Sequence, residues 1–535
     1  VIKIGWVNLL FLASMLLVVV GSVIWPDMST NQMLLLREAL FILAPALLLV
    51  ALEKRPVREV LRLRWPGWRV AGLGVLLGAG GWLFDTWLGG VLIAVLGYST
   101  PLPPDFFPTS PGQAVVLVLA LAVVAPLCEE VLFRGVIQRG YEQRGPRTGI
   151  LATGLLYVVF HQSVPQGLAL IPLAFLLGYM VWRSDSLLPG LLAHAANNAL
   201  AAAIILLVVA DPEVVPFLGT WPAALVGAGL LVLGLWLFVR WTKPPPSAVR
   251  VELRPGLLPW LRRAWPLLIV APLYLFSIVM EAVLGLAPEM LAAGQELQLG
   301  PAPWPETQQW SYEVRNVVDL PVGEVHCVLS PQEGTFVLEC QRQQSAYKVD
   351  TGQGIYQGGR VDEQFTAHWQ GEELRLLSVE LQAQVEGQKR HIAVRPEGDQ
   401  VQVTVRRGDV AQETRLALER EPTLLPVAAQ ELALLERDEW PWRLSALPFA
   451  SFYSAHCSMV EPYTRREETA DQGPAIERTY VVIYGAEPIK TPAGTFLAWK
   501  VQVGDDWTAW YNVEPPHTLL ALEDGAESWL LTAAE

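Results

Sequence analysis

Glu129, Glu130 and Arg134 stand in the stretch "APLCEEVLFRGVIQRG", inside an apolar run long enough to cross a bilayer. Charge is expensive in hydrocarbon, so such side chains face the protein interior and mark function by default. Glu130 and Arg134 are four residues apart, on one helical face, and can pair. Glu129 points about 100° away at 3.6 residues per turn. One acid is neutralised and the other is left available as a general base. Two further polar clusters follow. "YVVFHQ" sets His161 one turn beyond Tyr157, and "LLAHAANNAL" sets His194 four residues before Asn198, each pair on a single face. Of the seven histidines, only these two lie in the apolar half. A carboxylate in apolar surroundings is a candidate general base, and imidazole and amide groups are candidate donors to a developing negative charge.

Three separate helices must converge for that chemistry. If the segments around "EQRGPRTG" form a hairpin, Glu129 and His161 each lie ~22 Å from its turn and can face one another. His194 lies only ~15 Å past the turn near Ser184, by the same rise. A tilt, or a break at Pro165, must make up the difference.

The chain has 535 residues, 52% of them hydrophobic, and its halves differ. Nine apolar runs centre on 5–25, 33–52, 70–96, 114–136, 147–162, 166–183, 187–209, 219–240 and 265–286, near the length that spans a bilayer. The first lacks a small-x-small cleavage site and is followed by more spans, so it reads as a retained helix. Lys54, Arg55, Arg58, Arg62, Arg64 and Arg69 fill the second loop, Arg139, Arg144 and Arg147 the fourth, Arg183 the sixth, and Arg240 and Lys243 open the eighth. The odd loops "STPLPPDFFPTSPGQ" and "ADPEVVPFLG" hold no Lys or Arg. That asymmetry places the N terminus in the cytoplasm and, after nine crossings, the C-terminal part outside. Arg37 is the misfit, blunted by Glu38 beside it. Tryptophans near span ends, Trp25, Trp65 and Trp68, read as interfacial anchors.

The linker "TKPPPSAVRVELRPG" sets the ninth span apart from the first eight. The expected architecture is a polytopic α-helical membrane protein, an eight-helix core plus one extra transmembrane helix, followed by a soluble β-rich domain. Its divisions are 1–243, 244–288 and 289–535. The last part alternates polar and apolar residues and breaks at Gly, Asp, Asn or Pro in "GTFVLEC", "AVRPEGDQVQVTVRRGD", "RTYVVIYG" and "TPAGTFLAWKVQVGDDWTAWYNV". A helical piece is expected at "LLPVAAQELALLERDEW". Trp507 and Trp510 read as core of the β domain. The net charge of −14 falls largely in this half and disfavours nucleic acid as a partner. Cys327 and Cys340 flank "VLSPQEGTFVLE", which reads as a hairpin, so they could pair across strands in an oxidising compartment. Cys128 and Cys457 have no obvious mate. His326, His368, His391, His456 and His517 are scattered without metal-like spacing.

"EEVLFR" and "HAANN" match the EExxxR and HxxxN motifs of the CPBP family, the CAAX proteases and bacteriocin-processing (Abi) membrane proteins. "YVVFH" stands where that family usually has FxxxH, with Tyr157 in the aromatic place. The resemblance covers roughly residues 70–210 and includes the type II CAAX prenyl endopeptidases. It implies an intramembrane endopeptidase in which Glu129 and His161 activate water, His194 and Asn198 hold the oxyanion, and Glu130 and Arg134 support the first acid. Alone, each polar cluster reads as a helix–helix contact; together, and in this order, they favour a site.

Zinc remains an alternative, because Glu129, His161 and His194 are a His₂Glu set. No HExxH helix occurs, and Asn198 would be an unusual member of a zinc site, so a metal-free glutamate mechanism is preferred. The substrate expected is a membrane-associated protein or peptide, prenylated or not. The rival expectation is a non-catalytic scaffold or immunity-type protein in the bilayer, whose outer domain binds an extracytoplasmic partner.

Overall fold

The computed structural model describes residues 2–24, 29–99, 102–212, 219–245, 257–286, 295–350, 355–371, 373–385, 387–418, 434–436, 439–450, 453–461, 474–525 and 527–535. The chain divides into two compact units, Val1–Leu286 and Ala287–Glu535. The tip of the linker, 246–256, and Trp25 lie outside the described residues.

The first unit is helical: α1 Ile4–Ile24, α2 Thr30–Leu52, α3 Trp68–Leu96, α4 Pro111–Arg144, α5 Pro146–Phe160, α6 Val164–Ala169, α7 Ile171–Ser184, α8 Leu188–Ala210, α9 Trp221–Trp241 and α10 Leu257–Leu286. Among the described residues, seven helices are long and apolar enough to cross a membrane. The protein is a polytopic helical membrane protein with a soluble β domain.

Two of the nine expected spans are shorter than a crossing. The helices α5 and α7 have 15 and 14 residues, about 22 and 21 Å by their rise against the ~30 Å of hydrocarbon. The chain between them turns at Gln162, whose φ is +52°. Pro165 and Pro172 then sit in the first turns of α6 and α7, where a missing N–H costs nothing. The break foreseen at Pro165 therefore falls just before it.

The extra helix α10 is tied to the other helices of the first unit. Asn8 of α1 donates to the Arg263 carbonyl at 2.7 Å, Val164 N donates to Glu281 at 2.7 Å, and Ser277 donates to Gln162 at 3.2 Å. Its polar residues thus bind α1 and the turn that carries His161, so it belongs with the other helices.

Glycines set the closest helix contact. A Cβ on Gly74 would come within 2.6 Å of the Pro189 carbonyl, and one on Gly78 within 2.0 Å of the Ala193 carbonyl. With Gly81, whose Cβ would meet Asn197, they form one stripe that lets α3 lie against α8. At one end of the bundle, buried Arg62 pairs with Glu142 and Asp185, and the Leu187 N–H donates to the Arg62 carbonyl at 3.2 Å. That network fixes where α8 begins.

Helices α2 and α4 are not uniform. Arg37–Leu43, Ala120–Val124 and Val131–Ile137 are π-helical turns. The first two precede Pro45 and Pro126. Proline cannot donate to the carbonyl four residues back and its ring would strike it, so a widened turn relieves the conflict.

The second unit holds a large sheet and a two-stranded one, β4 Tyr347–Asp350 with β5 Ile355–Gly358. Besides the strands named below, the large sheet has β6 Val361–Gln370, β8 Gln388–Glu397, β9 Gln400–Arg407, β10 Val410–Ala417, β11 Leu434–Glu436, β13 Ala475–Thr491, β14 Gly494–Val503, β15 Trp507–Asn512 and β16 Leu519–Glu523, in the order β10-β9-β8-β7-β6-β3-β2-β1-β17-β16-β15-β14-β13-β12-β11, antiparallel except at β11 with β12. First and last strands, β1 Gln308–Asn316 and β17 Glu527–Ala534, are neighbours. Alternate residues are buried, as in β1 and in β7 Arg375–Val385, which is the period-2 pattern of a sheet covered on one face. Trp304, Trp369, Trp440 and Trp442 fill the core, and Trp510 is also buried. The hairpin read around "VLSPQEGTFVLE" is β2 Pro321–Gln332 with β3 Thr335–Gln344, and Cys327 faces Cys340 in register and is bonded to it. The helix expected over 424–440 is not found where it is described: Leu434–Glu436 is a strand beside β12 Ser454–Glu461, and only Trp440–Arg443 is helical. Residues 424–433 lie outside the described residues. Pairing with a neighbouring strand overrides the local helical preference there.

Candidate active site

The short α-helical turn Ala125–Glu130, between two π turns of α4, presents Glu129 and Glu130 to the bundle interior. Glu130 and Arg134 are fully buried, 2.8 Å apart through Oε1 and Nη1. Arg134 also donates to the Ala174 carbonyl of α7 at 3.2 Å and lies over the Tyr157 ring, 4.4 Å from its centroid. The expected pair is therefore present, but Glu130 does a second thing. Its Oε1 stands 3.1 Å from Nδ1 of His194. Paired with Arg134, Glu130 is placed as an acceptor, so Nδ1 donates to it and Nε2 faces away from it. The resemblance gives Glu130 and Arg134 the task of supporting Glu129; in the structure Glu130, held by Arg134, also bonds His194.

On its other side, His194 Nε2 lies 3.3 Å from the Tyr157 hydroxyl and 3.9 Å from Oε2 of Glu129. Glu129 Oε2 is buried with no hydrogen-bond partner, and Tyr157 is also within bonding reach of this carboxylate. His161 ends α5, half-buried. Its Nδ1 bonds to the Tyr157 carbonyl at 2.8 Å, its ring packs on Tyr157 at 4.7 Å, and Glu129 is its electrostatic neighbour. The unpaired acid, the two imidazoles and the tyrosine thus surround one point. The Tyr157 hydroxyl, at the place the motif usually gives to Phe, ties His194 to Glu129.

Asn198 lies one turn beyond His194 on α8. Its Nδ2 donates to the Leu121 carbonyl at 3.0 Å, inside the π turn Ala120–Val124. One amide hydrogen is thereby fixed on α4 and the second remains for another acceptor.

Among the described residues, no three His, Cys, Asp or Glu side chains are grouped so as to hold a metal ion. Nδ1 of both imidazoles is engaged, that of His161 by the Tyr157 carbonyl and that of His194 by Glu130, which leaves Nε2 of each as the outward nitrogen, and Glu129 stands 3.9 Å from Nε2 of His194. Zinc–ligand distances near 2.0–2.2 Å would require all three to move inward.

Glu38 was seen in the sequence only as a neighbour that blunts Arg37. It is fully buried on the π turn of α2, 3.3 Å from Arg37, and it and Glu129 act on one another electrostatically. Asp85 and Asn197 were passed over, and both are buried. An acid inside an apolar run was the available signal for Glu38 and Asp85.

Residues 111–200 match the family described as Rce1-like, the type II CAAX prenyl endopeptidases. This segment is similar to that family. The matched residues take in α4 to α7 and the first half of α8, hence every residue of the constellation except Glu38. Comparison with curated proteins gives no match. Two solved structures are similar to part of the chain: one from Parabacteroides distasonis described as a lipoprotein, at 11% identity, and one from Bacteroides fragilis described as an exported protein with a YmcC-like fold, at 10%. Each aligns over 45% of this chain and 100% or 99% of its own, with TM-scores of 0.15 and 0.14.

Proposed function

We propose that the protein is an intramembrane endopeptidase of glutamate type. Glu129 takes the proton of a water that attacks the peptide carbonyl, and His161 positions that water. His194 acts as the imidazolium: with Nδ1–H held by Glu130 it donates through Nε2–H, and together with the second amide hydrogen of Asn198 it receives the oxyanion, a task worth ~3–4 kcal/mol per donor. Arg134 and Glu130 orient His194 through Nδ1. The proton on Glu129 then passes to the leaving amine. One observation carries this reading: His194 stands between a paired acid at 3.1 Å and an unpaired acid at 3.9 Å. A water at ordinary hydrogen-bond length from both Nε2 and Oε2, about 2.8 Å, fits to one side of that line. No step in the scheme needs a metal.

The substrate is a peptide segment presented at the membrane, in keeping with the Rce1-like match. The Lys and Arg of the even loops support a cytoplasmic N terminus, and the Cys327–Cys340 bond supports an outer β domain. The test uses the purified full chain in nanodiscs against fluorogenic peptides, with and without a prenyl group. Wild type should cleave a subset, and Glu129→Gln and His194→Ala should each lose at least about a hundredfold in kcat. Activity should survive a zinc chelator. Equal behaviour of wild type and both variants on every peptide would favour a non-catalytic scaffold and end the proposal.

A further inference from the structure

A cavity of 340 Å³ lies between α3, α7 and α9, within the range of small-molecule sites. Leu173, Phe175, Tyr179, Leu231 and Leu235 line it, with Asp85 among them. Asp85 is 8% exposed and neither carboxylate oxygen has a hydrogen-bond partner. Asn197 of α8 is beside it, buried, with its side-chain amide within reach of the carboxylate. No Lys or Arg lines the cavity. Asp85 lies ~26 Å along α3 from its first residue, deep in the apolar stretch. Val232, on the rim, is 71% exposed on a helix whose outer face is apolar, so the cavity opens toward lipid.

A carboxylate in apolar surroundings needs a partner that brings charge and donors together. Here the protein supplies the neutral Asn197 amide and, among the described lining residues, no cation, and the space beside the carboxylate is shaped by hydrocarbon. We propose that the cavity binds a membrane-dissolved molecule with an apolar body and a protonated amine, the ammonium on Asp85 and the body against Leu173, Phe175 and Leu235. An occupant touches α7, whose Ala174 carbonyl holds Arg134, and reaches α8 only through Asn197 beside Asp85. Binding itself does not depend on the proposed hydrolysis.

Decylamine is the probe, with decanol and decanoate as comparators, on the full chain in zwitterionic-lipid nanodiscs. Radiolabelled decylamine should occupy one saturable site per chain, and neither comparator should displace it at equal bilayer concentration. Asp85→Asn should weaken binding by about tenfold or more, the scale of one charge-assisted hydrogen bond. Leu235→Trp, which fills the space and keeps the carboxylate, should also lose binding, and His194→Ala should retain it. Equal binding by wild type and Asp85→Asn, or displacement by decanol as effective as by decylamine, would overturn the proposal.

Discussion

Glu130 serves two partners through one oxygen, and a mutant cycle can separate them. Glu130→Met leaves the Arg134 guanidinium buried without its counter-charge, beside His194 and the Tyr157 ring. Breaking a buried pair by removing one member costs ~3–5 kcal/mol. Replacing both members with apolar side chains of similar volume is often neutral, so Glu130→Met with Arg134→Met should recover to within about 1 kcal/mol of wild type. Activity should not recover with it. In both variants Nδ1 of His194 has lost its acceptor, and a misplaced oxyanion donor costs about 10²–10³ in kcat. Arg134→Met alone keeps Glu130 on His194 and should retain more activity than the double variant. Stability is read by denaturant titration of the reconstituted protein, and activity on the best-cleaved peptide. If the double variant regains turnover along with stability, Glu130 acts only as a counter-ion and the orientation of His194 does not depend on it.

Tyr157→Phe removes the hydroxyl between His194 and Glu129 and keeps the ring under Arg134; kcat should fall about tenfold, by the scale of an unmet buried hydrogen bond, with little change in unfolding. Removing both Cys327 and Cys340 opens a bond that spans 13 residues, and the β domain should lose about 3 kcal/mol under oxidising conditions, read from its denaturation midpoint. The buried Cys457 thiol is pushed up to about 12, by burial first and by Glu296, with Arg443 opposing. The folded form then keeps its proton where the unfolded thiol, near 9, has lost it. That contribution is intact below pH 9, and stability falls between about 9 and 12 by ~1.4 kcal/mol per pH unit. Cys457→Ala should flatten this slope in denaturation curves at pH 8, 9.5 and 11.

Much of the architecture was legible because both halves follow simple periods. Long apolar runs marked α1 to α4 and α8 to α10, and alternation marked β3, β8, β9, β13, β14 and β15. Segments 147–162 and 166–183 were harder, since apolar composition does not reveal that a helix stops short of crossing, and the positive φ at Gln162 has no sequence signature of its own. The pairing of Glu130 with Arg134 followed from spacing alone. The second bond of Glu130, to His194, depends on how α8 is rotated against α4, and that rotation is set by the glycine stripe on α3 and the Arg62 network. Local sequence cannot report such long-range placement. Glu38 escaped notice for a related reason: beside Arg37 it looked like a neutralising neighbour, whereas the π turn carries it inward.

The widened turns of α4 make the motif sensitive to chain length as well as composition. Each holds one residue more than an α turn, and a single-residue deletion inside 120–124 could close it into a regular helix. Closing it would leave the downstream residues close to their phase, whereas a deletion in the regular helix 111–119 would swing them by about 100°, carrying Glu129 out of phase with His194 while leaving every side chain of the motif in place. Homologous segments should therefore hold their residue count strictly in the regular parts of this helix and change it by one only at the widened turns.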